Sequence, residues 1–142
     1  MTVALINPNL IVQRNDPFTT GIVYMPIGLA YLAAALRQQG HDVRVVDAFG
    51  DAPRQTRLMD RLMVLGLEPE QVADQLPEDI SVVFVFCNQV ANHISVAAIV
   101  RAVKLRLPNT RVVLVENTQA VDRKSTRLNS NHVSESRMPS SA

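Results

Sequence analysis

The sequence predicts an α/β fold, a flavodoxin-like doubly wound parallel sheet, incomplete at about four strands, followed by a disordered C-terminal tail. Three observations predict it. Strand-like runs at 3–7, 41–47, 80–86 and 111–115 alternate with helix-like segments. Those linking segments have the length of helical crossovers, which makes the strands parallel and the connections right-handed. The run 80–86, bounded by Asp79 and Cys87, has the apolar pattern of a strand covered on both faces.

The elements follow in order. Residues 3–7 form a short apolar run stopped by Pro8, and a polar loop with Arg14, Asn15, Asp16 and Pro17 comes next. Pro26 opens a helix at its first turn, where a missing N–H costs nothing. Residues 27–39 are rich in Ala and Leu, and Gly40 supplies the stop. This helix is apolar almost all round up to Arg37, which predicts that it is largely buried. Residues 41–47 form the next strand. Residues 53–65 read as a helix through Leu58, Leu62 and Leu65, ended by Gly66, with Met59, Met63 and Leu62 in the core. Residues 69–76 read as a short helix. Residues 92–107 form a helix closed by Pro108 and Asn109, ahead of the last strand. The βαβαβαβ sequence lacks a Gly-rich turn after its first strand, so the strand order 2-1-3-4 fits better than a dinucleotide-binding order. The fourth strand is then an apolar edge, an association hazard.

Composition excludes several classes. Charged residues make up 19% and hydrophobic ones 47% of the 142 residues, as in a globular domain. The net charge of +1 gives no electrostatic case for nucleic acid or an anionic membrane. The single Cys excludes a disulfide framework and any multi-cysteine metal or Fe–S site. No secretory signal is visible, and the expected location is cytoplasmic. Residues 17–36 carry no charge, but Pro26 and Gly28 interrupt them, so no membrane span is expected.

A seam divides the chain. Residues 1–122 hold two serines and a net charge of −2, whereas residues 123–142 hold six and +3. The last stretch has no apolar period with which to offset its ordering entropy. It resembles translated sequencing-adapter read-through. The expected division is an α/β domain over 1–121 and a disordered, artefactual tail over 122–142, the natural protein continuing differently after about Val121.

In such sheets ligands bind at the carboxyl ends of the strands, near the switch in strand order. The strand tips here are Asn7-Pro8-Asn9, Asp47, Cys87-Asn88-Gln89 and Glu116-Asn117-Thr118. Amides donate and accept, which suits a neutral ligand rich in amides or hydroxyls, although Asn also favours loops and caps on its own account. His93 opens a helix beside the third strand tip, where a His can act as metal ligand or general base, although a lone His there is more often a cap or surface residue. Cys87 reads as a small buried hydrophobe. No catalytic residue and no metal-ligand set is assigned. Receiver domains share this topology but require acidic tips where this chain has Asn7 and Cys87-Asn88, and the scattered glycines make no phosphate loop.

The residues Pro26-Ile27-Gly28-Leu29-Ala30-Tyr31-Leu32-Ala33, then Gly40-His41-Asp42-Val43 and Asp47, resemble the cobalamin-binding domain that precedes many radical SAM catalytic domains. The first-strand INPNL and the VVFVF run agree with it, and the resemblance covers roughly residues 2–121. It implies a module that holds cobalamin for a radical SAM domain in cis, in a parent enzyme of methyl transfer or related radical chemistry. The 4Fe-4S cluster and S-adenosylmethionine would belong to that catalytic domain, whose Cys-x-x-x-Cys-x-x-Cys motif this chain lacks, so the chain alone performs no catalysis. The loop from Pro8 to Met25 has no His, so the implied cobalamin takes no lower ligand from it. The cofactor-binding candidates are Asn7, Asn9, Gly28, Asp47, Asn88, Gln89, His93, Glu116 and Asn117. A cofactor-free flavodoxin-like interaction domain and an α/β enzyme acting on a nucleotide or sugar donor are the alternatives.

Overall fold

The computed structural model describes residues 1–15, 26–87 and 90–116. In chain order the elements are β1 (Thr2–Asn7), β2 (Leu10–Gln13), α1 (Ile27–Gln38), β3 (Asp42–Asp47), β4 (Thr56–Met59), β5 (Leu62–Leu65), α2 (Pro69–Asp74), β6 (Val82–Cys87), a 3-10 turn (Val90–Asn92), α3 (His93–Arg106) and β7 (Arg111–Glu116). The expected tail, 122–142, lies outside the described residues.

The main sheet is parallel, in the order β3-β1-β6-β7. This is the predicted 2-1-3-4 order of the long strands. Alternation along each strand divides the core into two layers. Ala4, Ile6, Val83 and Val85 face α2 and α3, where Val72, Ile99 and Val103 bury, with Leu76 just past the end of α2. Val3, Leu5, Val43 and Phe86 face the opposite way, toward Leu29 and Ala33 of α1. Reversal of the crossover direction after β3 accounts for helices on both faces, because right-handed connections running opposite ways lie on opposite sides.

Local chemistry explains the helices. Gly40 sits at φ 78° just past α1, the left-handed stop expected of it. Pro69 opens α2, and Glu68 and Gln71 form a reciprocal capping box. The end of α3 is held by Lys104 Nζ, which donates to the carbonyls of Pro108 and Thr110.

Four expectations are corrected. The segment 53–65 is not a helix but the hairpin β4–β5, turning at Asp60 with φ 53°. The polar loop after β1 contains a strand, β2, which pairs antiparallel with β5 to complete a second sheet, β2-β5-β4. That pairing overrides the helical spacing of Leu58, Leu62 and Leu65, since Val64 buries beside Ile11 only in the extended form. Met59 is 37% exposed and Leu62 and Met63 are half-buried, so the expected core role belongs to Val64 instead. Finally, α1 is not largely buried: Leu29 and Ala33 face the sheet, while Ile27 and Tyr31 are 60% and 74% exposed. Among the described residues no helix is long and apolar enough to cross a membrane.

Candidate functional site at the carboxyl ends of the strands

Parallel pairing brings the ends of β1, β3, β6 and β7 to one edge of the sheet. The register sets Asn7 beside Asp47, and Asn7 Nδ2 donates to Asp47 Oδ1 at 2.9 Å. The Gly50 N–H donates to the same oxygen at 2.9 Å. A Cβ on Gly50 would meet Asp47 Oδ2 at 2.5 Å, so the turn needs a glycine to pass this carboxylate. Two donors thus hold one oxygen of a half-buried carboxylate, while Oδ2 accepts no hydrogen bond among the described residues.

Asn9 has a different task. It is 1% exposed, and its Nδ2 donates to the Leu65 and Leu67 carbonyls at 3.3 and 2.8 Å. Its Oδ1 accepts from Ser95 Oγ at 2.7 Å. The side chain therefore joins the loop after β1 to the end of β5 and to the first turn of α3. Gly66 makes this junction possible: at φ 121° a Cβ would strike the Ala48 carbonyl oxygen and Asn9 Nδ2.

Both Asn92 and His93 lie where the 3-10 turn meets α3. His93 is half-buried, and Cys87, at the tip of β6, is buried. Gly28 lies in the first turn of α1, exposed, with nothing among the described residues within 4 Å of a Cβ built on it. It makes no close backbone approach there. Glu116 ends β7, with its side chain outside the description; Asn88, Gln89 and Asn117 lie outside the described residues. Sequence reasoning missed Ser95, Gly50 and Asn92. The Asp-x-x-Gly spacing and an Asn directly before a helix were the available signals.

Among the described residues no group of three or more His, Cys, Asp and Glu side chains could hold a metal ion. The donor set suits a neutral polar ligand: an amide and an oriented carboxylate, beside the β1–β6 boundary where the strand order switches. In comparison with known proteins, no family model matches the chain, and no curated protein and no solved structure matches it. The chain is thus defined by its class, an α/β protein with a four-stranded parallel sheet and a small antiparallel one.

Proposed function

We propose that this chain is a cofactor-binding module that holds cobalamin at the carboxyl end of its parallel sheet. It serves a radical SAM domain of the same parent protein in the cytosol and performs no catalysis alone. One observation carries the reading furthest: Asp47, fixed through Oδ1 by Asn7 and Gly50, keeps Oδ2 for a hydrogen-bond donor of the ligand. The chemistry of this donor set fits cobalamin, whose rim bears carboxamide N–H groups and whose metal arrives with its own macrocycle. Asn7 and Asp47 would hold that rim. When bound, cobalamin supplies methyl-carrier or related radical chemistry; the chain's part is to bind and orient.

The test is retention. The chain is mixed with hydroxocobalamin, desalted, and examined by visible spectrum and cobalt content. Near one cobalt per chain in the wild type, and clear loss in Asp47→Ala with the fold intact, is expected. No cobalt retained by folded wild type overturns the reading. It would favour a cofactor-free interaction domain, for which the exposed Ile27 and Tyr31 of α1 are the supporting observation.

A further inference from the structure

Asn is a favoured helix N-cap because its side-chain oxygen accepts a hydrogen bond from an N–H of the first turn while its own backbone is extended. Asn92 occupies the N-cap of α3 and does neither. Its backbone is helical, φ −73° and ψ −12°, because the Val90–Asn92 turn runs straight into the helix, and its side chain makes no capping bond. The residue is 8% exposed, and its Oδ1 is sealed from solvent without a hydrogen-bond partner among the described residues. A sealed acceptor without a donor costs free energy, and such groups are rare in folded proteins.

The same side chain has a remedy within reach. Rotation of ψ at Asn92 into the extended region unwinds the 3-10 turn and lets Oδ1 accept from the N–H of Ile94 or Ser95. The helix itself need not move, because Ser95 is tied to the buried Asn9 by its 2.7 Å hydrogen bond. We propose that Asn92 is a two-state cap: a hinge at which the Val90–Asn92 turn exchanges between the uncapped form described and a capped, unwound form. Loss of the turn's 3-10 backbone conformation opposes gain of the cap. The turn directly precedes the α3 end that borders the candidate site, so ligand and cap state are coupled. That coupling rests on the cofactor-module reading, but the exchange itself does not.

The experiment is relaxation dispersion on the backbone amides of residues 90–95 of the full chain, together with thermal melting. Exchange on the microsecond-to-millisecond timescale is expected in the wild type. Asn92→Leu removes the acceptor and should abolish exchange and raise the melting temperature. Asn92→Ala, which adds no bulk, should also abolish exchange. Asn92→Asp carries a carboxylate that cannot stay sealed, and should move the shifts to those of the minor form. A wild type without exchange, with a lower melting temperature in Asn92→Leu and Asn92→Ala, overturns the proposal and places a fixed internal water on Oδ1. In a second arm hydroxocobalamin is added. Binding with changed populations supports the coupling, and binding with unchanged populations overturns it. Absence of binding overturns the cofactor reading and leaves the cap to be judged by the first arm.

Discussion

Asn9 and Ser95, 86 positions apart, share a buried hydrogen bond of 2.7 Å that locks the loop after β1 to the first turn of α3. Asn9 also satisfies two carbonyls at the end of the small sheet. One side chain thus fastens the three structures that surround the candidate site.

Removing it should therefore be costly. Asn9→Ala leaves buried carbonyls and a hydroxyl without their partner, and a loss of about 3 kcal/mol is expected in urea unfolding. Ser95→Ala should cost about 1 kcal/mol. The double variant should fall short of the sum, since both changes remove one shared bond.

The glycines should separate sharply. Gly66→Ala forces a strained φ and a collision with Ala48 and Asn9, and should cost about 2 kcal/mol or more. Gly28→Ala, in a helix, meets nothing within 4 Å among the described residues, and should stabilise by about 0.5–1 kcal/mol. Thermal melting of the two variants reads both signs.

The two sides of α1 should respond differently. Leu29, 4% exposed, sits against the sheet, and Leu29→Ala should cost about 2–4 kcal/mol. Tyr31, 74% exposed, should tolerate Tyr31→Ser within about 0.5 kcal/mol. A large loss at Tyr31 would restore the buried helix that the composition suggested.

Strand β7 pairs only with β6 among the described residues, and its Val113 and Leu114 are 40% and 49% exposed. An apolar strand with an open edge recruits other chains. Concentration-dependent association is expected in sedimentation velocity, and Leu114→Lys should reduce it several-fold. A monomer at all concentrations, insensitive to this change, would refute the edge argument.

Much of the architecture was legible because its signals are local. The 3–7 and 80–86 runs, the Pro69 start and the Gly40 stop each act over a few residues, and the parallel orientation of the strands followed from crossover length. The hairpin was not legible. Leu58, Leu62 and Leu65 satisfy a helical spacing, and only the partner strand 10–13, some fifty residues earlier, makes the extended form preferable. The site was half legible. Strand-end chemistry pointed to Asn7 and Asp47, which the register then set side by side. The same chemistry pointed to Asn9, whose donors and acceptor are spent inside the protein.

The α/β class, the order of the long strands and the residues at the ends of β1, β3, β6 and β7 can be read along the chain. These depend on periodicity, turn chemistry and the handedness of connections. The hairpin over 56–65, the apolar side that α1 exposes and the amides that face inward emerge only in the folded chain. Those outcomes depend on contacts between distant segments, where burial and hydrogen-bond partners outweigh the local preference of any one stretch.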